Sequence, residues 1–177
     1  MAYIDQKYHD ADYKDIKQVQ TKHKVSINST FQRNGENLPN LNPEVQKNAE
    51  RVLRATGVAE IAQLSDVVIN IIVNNIYDKA GSFAKGFGTG LTFGAVGSTV
   101  VDHYEISISM TVNGKEVSNK KYEHNIFSTV GNTSAPNNAR KTTTGFADVM
   151  EDTLLNFVRD MQLQGLLAVN KLSKASA

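Results

Sequence analysis

Apolar residues return at two different periods along this chain, and the switches between those periods mark out its elements. Val25, Ile27 and Phe31 alternate with polar neighbours, which predicts a half-buried strand over residues 19–31. A loop rich in Asn, with Gly35 and Pro39, follows. From Asn42 the period lengthens. Val45, Ala49, Val52, Leu53 and Thr56 fall on one face of a helix, with Asn42 as N-cap, Pro43 in the first turn and Gly57 as the stop. Residues 66–77 are dense in β-branched side chains. Val67, Ile69, Ile71 and Val73 line one face and Val68, Ile72 and Ile76 the other, which predicts a central strand covered on both sides.

Alternation resumes over residues 102–112, where Tyr104, Ile106, Ile108, Met110 and Val112 share a face. Asn113-Gly114 then signals a two-residue hairpin, with a returning strand over 115–129. Val117 has the opposite parity from Tyr122 and Ile126, so a β-bulge is expected within residues 118–121. The loop 131–138 leads into a long helix, 140–164. Its stripe is Phe146, Val149, Met150, Thr153, Leu154, Phe157, Val158 and Met161, and Gly165 is expected to end or interrupt it. Beyond it, Leu166, Leu167 and Val169 are expected to pack on the sheet edge.

The order strand, helix, three strands, helix predicts an α+β fold. Its simplest form is a two-layer sandwich: an antiparallel-rich four-stranded sheet with two helices on one face. Residues 19–177 read as a single domain. Residues 1–18 have no steady period and read as an N-terminal tether or loosely packed arm.

One segment fits neither period. Residues 80–101 hold Gly81, Gly86, Gly88, Gly90, Gly94 and Gly97, with Phe83, Phe87, Leu91, Phe93 and Val96 as apolar bulk and Lys85 as the one charge. Gly86, Gly90 and Gly94 fall four apart. A phosphate-binding loop does not fit, because no Gly-Lys-Ser/Thr ending occurs and Leu91 stands where the third dinucleotide glycine belongs. Two readings remain. The segment is a membrane-facing or self-packing element, since small residues at this spacing allow close approach. Alternatively, it is a long connection folded against the protein's own sheet.

Composition narrows the chemistry. The 177 residues carry 19 Lys+Arg against 18 Asp+Glu, a formal net charge of +1, which leaves no electrostatic footprint for nucleic acid and no polybasic membrane patch. With no Cys there is no disulfide framework, thiolate metal site or thiol nucleophile. Hydrophobic residues at 40% suit a folded globule. The first eleven residues are polar, without the apolar core of a signal peptide, so the chain is either cytosolic or a mature segment whose leader has been removed.

Candidate chemistry is sparse. In an unbulged hairpin His103 faces His124, a start for a metal site with Glu105 or Glu123, but two imidazoles are fewer ligands than most sites need. Asp148, Glu151 and Asp152 read as the solvated side of the last helix. The hydroxyls of Lys141-Thr142-Thr143-Thr144 read as a helix start. No G-x-S-x-G occurs. No catalytic residues, metal ligands or cofactors are assigned.

The layout of residues 66–130 resembles a known group. An apolar strand (DVVINIIVNNIYD) precedes a glycine-rich apolar insertion (GFGTGLTFGAVG), a strand with an Asn-Gly hairpin (HYEISISMTVNGKEVSNKKYEH) and the long last helix. This resembles small uncharacterised outer-membrane lipoproteins of Gram-negative bacteria, whose domain is similar to the α+β domains of curli-secretion and TolB-type periplasmic proteins. The resemblance covers about two-thirds of the chain as a layout and brings no catalytic residues with it. It implies a non-enzymatic domain at the periplasmic face of the outer membrane. It also implies a lipid anchor if Met1 stands where a mature lipoprotein has its lipidated Cys.

The expected activity is contact with a second copy, an envelope partner or lipid. The expected contact surface is the glycine-rich insertion: Phe83, Phe87, Leu91 and Phe93 as anchors, with Gly86, Gly90 and Gly94 giving close approach. Two alternatives are a small-ligand binder or enzyme with its pocket between that segment and the last helix, and a cytosolic interaction module.

Overall fold

The computed structural model describes residues 1–77, 98–131 and 133–168. Its strands are β1 (Ala2–Asp5), β2 (His23–Arg33), β3 (Glu36–Asn37), β4 (Ala59–Ile61), β5 (Val67–Ile76), β6 (Ser98–Val112), β7 (Lys115–Val130) and β8 (Ala139–Thr142). Its helices are α1 (Asn42–Ala55) and α2 (Phe146–Leu163). The strands form one eight-stranded mixed sheet in the order β3-β2-β5-β6-β7-β1-β8, with β4 pairing to β2. β2 runs parallel to β4 and β5, and the remaining pairs are antiparallel.

The α+β class stands, but the four-stranded sheet does not. β1, β3, β4 and β8 are each four residues or fewer, too short to leave a period-two signature in the sequence. β2 and β5 are parallel because α1 supplies the crossover that parallel neighbours require.

Register explains why the core lies on one side. Ile69 pairs with Met110, Ile71 with Ile108 and Val73 with Ile106, while Ile27 and Phe31 lie opposite Ile69 and Val73. These residues are buried together with Val45, Ala49, Val52 and Leu53 of α1 and Val149, Met150, Leu154, Phe157, Val158 and Met161 of α2. Phe157 is fully buried, and truncating such a side chain to Ala costs about 3–5 kcal/mol. Both helices cover this face, so β5 is not covered on both sides as its composition suggested. Ile72 is 41% exposed on the opposite face. Its neighbours there are polar: Asn28 Nδ2 donates to Asn70 Oδ1 at 3.0 Å, in register with Ser109.

The expected bulge exists one position earlier than expected. Met110 pairs with Ser118 but Thr111 with Glu116, which leaves Val117 as the extra residue. The shift puts Tyr122 opposite Ile106 on the core face.

Both helix ends obey their glycines. Gly57 (φ 74°) donates its N–H to Arg54 O past α1. After α2, Leu166 N–H reaches Met161 O and Gly165 N–H (φ 78°) reaches Gln162 O, the paired bonds of a Schellman stop. Leu167 beyond it is buried, whereas Val169 lies outside the described residues. The helix starts differ from expectation. Asn42 does not cap α1; its Oδ1 accepts from Phe31 N–H at 2.7 Å and so tethers β2. The last helix begins at Phe146 rather than at residue 140, because residues 139–142 pair with β1 as an edge strand.

Residues 1–18 are packed rather than loose. β1 lies between β7 and β8, Ile4 is fully buried opposite Ile126, and Ala11 and Ile16 are buried further along. Polar residues around each apolar one hid these anchors in the sequence.

Candidate functional site

Three parts of the chain meet at one end of the sheet. β5 stops at Ile76, paired with His103, while the β6–β7 ribbon runs on to the Ser98–Val130 pair. Tyr77 and Ser98, the described residues on either side of positions 78–97, therefore both lie toward this end. Residue 1 joins them: Thr129 N–H donates to Met1 O, and the Met1 amino group donates to Thr129 O, both at 2.8 Å.

This end is apolar and exposed. Val100 is 53% exposed and Val130 63%, with Tyr77 and Met1 also exposed. Val100 lies on the same face of β6 as the fully buried Ile106 and Ile108, so its exposure marks where the helical layer stops. Residues 1–4, 86–101 and 125–139 contain no Asp, Glu, Lys or Arg. The expected contact residues Phe83, Gly86, Phe87, Gly90, Leu91, Phe93 and Gly94 lie outside the described residues.

The densest polar chemistry lies elsewhere, where residues 6–18 cross the helices. His9 Nδ1 is 3.1 Å from Asp152 Oδ1, and Arg140 Nη2 donates to Asp152 Oδ2 at 3.0 Å. Asp152 is buried, not on the solvated side of α2 as expected, and the Arg140 guanidinium compensates its charge while the His9 ring makes a second polar contact. Glu151 accepts from Arg51 Nη1 at 2.6 Å and from the Tyr13 hydroxyl at 3.0 Å, so it joins α1, α2 and the crossing segment. Burial, followed by the Glu151 charge, pushes the Tyr13 hydroxyl up to about 12. Asp148 accepts from the Thr142 and Thr144 hydroxyls at 2.5 and 2.6 Å, and Thr142 Oγ1 accepts the Gly145 N–H at the helix start. His9, Asp10, Tyr13, Arg140, Asp148 and Asp152 line an open cleft of about 290 Å³ here.

The histidine pair proposed from the hairpin does not form. The bulge places His103 opposite Asn125, 2.8 Å from its Oδ1, and turns His124 to the other face. His124 is fully buried, with Nδ1 at 3.1 Å from Asp5 Oδ1 and its ring against Tyr8. Among the described residues no three metal-type side chains converge. Reading the sequence missed both His–Asp contacts, because each joins residues more than a hundred positions apart. The one local signal was Asp152, set directly beside the apolar stripe of α2.

No protein family and no curated sequence matches this chain. Among solved structures, the chain is similar to rare lipoprotein B from Shewanella oneidensis. The identity is 13% and the TM-score 0.37, over 81% of this chain and 92% of that one. It is also similar to a neuraminyllactose-binding hemagglutinin homolog from Helicobacter pylori, at 9% identity and a TM-score of 0.43, over 82% of this chain and 88% of that one. TM-scores this low establish neither a shared fold nor a shared function. Among the described residues no helix is long and apolar enough to cross a membrane.

Proposed function

We propose that this chain is a non-enzymatic cell-envelope domain of the lipoprotein kind, acting by contact with protein (a second copy or an envelope partner) or lipid. The observation that supports this reading is the apolar end of the sheet, without charged side chains, formed by Met1, Val100 and Val130. Exposed apolar groups grouped at one end of a molecule, with charged side chains kept away from it, suit burial against another surface. Tyr77 and Ser98, which flank the glycine-rich residues, lie toward the same end, and in this proposal Phe83, Phe87, Leu91 and Phe93 extend the surface, with Gly86, Gly90 and Gly94 permitting close approach. A lipid carried at position 1 would enter a membrane from this end, which fits the periplasmic face of the outer membrane.

The test is the double substitution Val100→Asp and Val130→Asp. Both side chains are exposed, so the fold is expected to survive. Self-association by sedimentation and binding to lipid vesicles by flotation are the readouts. Loss of whichever association the unsubstituted chain has supports the proposal. Full retention of that association in the variant, or its absence in the unsubstituted chain, refutes it.

A further inference from the structure

The segment between β1 and β2, residues 6–22, crosses from one side of the sheet to the other over the helical layer. Its fastenings are of two kinds. Ala11 and Ile16 are buried apolar anchors. The rest are polar: Lys7–Glu123 at 3.3 Å, His9–Asp152 and Asp10–Arg159 each at 3.1 Å, Tyr13–Glu151 at 3.0 Å, and a two-way pairing of Lys17 with the Gln162 amide at 2.9 and 2.7 Å. The two ion pairs, Lys7–Glu123 and Asp10–Arg159, each have an exposed member and are open to screening by salt.

What lies against this segment is unusual. Among the described residues, four buried side-chain polar atoms have no hydrogen-bond partner: Tyr122 Oη, His124 Nε2, Arg140 Nε and Thr153 Oγ1. All four belong to residues in or beside the layer it covers. The Tyr8 ring packs edge-on against Tyr122 and His124, at 5.2 and 4.9 Å between centroids. Arg140 holds Asp152, which also holds His9. Thr153 is one turn from Asn156, whose amide donates to Tyr8 O at 2.6 Å. Each such atom costs the closed arrangement free energy that contact with water would return.

We infer that residues 6–18 form a strap poised between closed and open states. Its ion pairs and the Tyr8 ring hold it shut, and the unpartnered polar atoms beneath favour opening. β1 and β2 anchor its two ends in the sheet, so it opens without unfolding the domain. This inference does not depend on the proposed function.

The test is hydrogen exchange on the full chain, followed residue by residue. The strap amides of residues 7–17 are expected to exchange faster than those of Tyr3, Ile4 and the β6–β7 pairs. Raising salt to about 1 M is expected to speed the strap several-fold and leave β6–β7 unchanged. Thr153→Val and Tyr122→Phe each remove one unpartnered hydroxyl while keeping shape. Each is expected to slow strap exchange by about five-fold or more. If strap amides exchange only with global unfolding, or if Thr153→Val speeds them or leaves them unchanged, the strap is a fixed part of the fold and the inference fails. Should Tyr122→Phe not fold, Thr153→Val alone decides.

Discussion

Asp5 on the short first strand holds His124 on the long seventh strand, with Oδ1 at 3.1 Å from Nδ1. The same carboxylate takes the Asn125 N–H on its other oxygen at 2.5 Å. One side chain thus continues the strand pairing past the point where the β1 ladder ends. Removing it leaves a buried imidazole and a backbone donor without an acceptor. Asp5→Ala is expected to lower unfolding free energy by about 1–3 kcal/mol, read as a lower urea midpoint at neutral pH. Asp5→Asn keeps an acceptor and is expected to cost less. An unchanged midpoint for Asp5→Ala would show that the contact is incidental.

Acid should weaken the fold through particular carboxylates. Burial alone would raise Asp5, Asp10 and Asp148. Hydrogen bonds outweigh it and hold each below the ordinary 3.8: from His124 and the Asn125 N–H to Asp5, from Arg159 to Asp10, and from the Thr142 and Thr144 hydroxyls to Asp148. A folded pKa below the unfolded one gives stabilisation that is complete above the unfolded value. It is lost as pH falls through the folded value. The carboxylate contribution is therefore expected to hold down to about pH 4 and to fall below it. Asp10 is largely exposed, so its share is small. Asp148→Asn should flatten this acid limb in a series of urea melts. An identical limb would remove Asp148 from the account.

The bulge makes a sharper prediction. Val117 is the residue without an opposite number, so deleting it should join Glu116 to Ser118 in continuous register. Every downstream pair, Ile106 with Tyr122 included, would keep its face. The deletion is expected to fold, with a stability change within about 1 kcal/mol and the same cross-strand contacts by NMR. Loss of the fold would mean that the bulge itself is required.

How far the sequence carried the fold depended on element length. The alternation of Tyr104, Ile106, Ile108 and Met110 and the Asn113-Gly114 turn were enough to place the central hairpin and to require a bulge in it. Gly57 and Gly165 placed two helix ends. β1 and β8 were not legible, because four residues cannot display a period and their partners lie far along the chain. Asn42 misled for a physical reason: an Asn beside a helix start has a side chain that serves a neighbouring strand as readily as its own helix. The branched residues of β5 suggested cover on both sides, yet Ile72 faces outward, since β-branching favours strands whether or not a second layer exists. Of the polar network, the hydroxyls at the start of α2 were readable locally. The His9–Asp152 and His124–Asp5 contacts needed the tertiary fold.

The central claim is that the apolar end of the sheet, together with the glycine-rich residues, is the contact surface. The most direct test removes residues 83–98 and measures size by sedimentation and vesicle binding by flotation, with circular dichroism as the control for the sheet. The account predicts an unchanged strand signal and loss of the association that the intact chain shows. Association of the shortened chain equal to that of the intact one would contradict it.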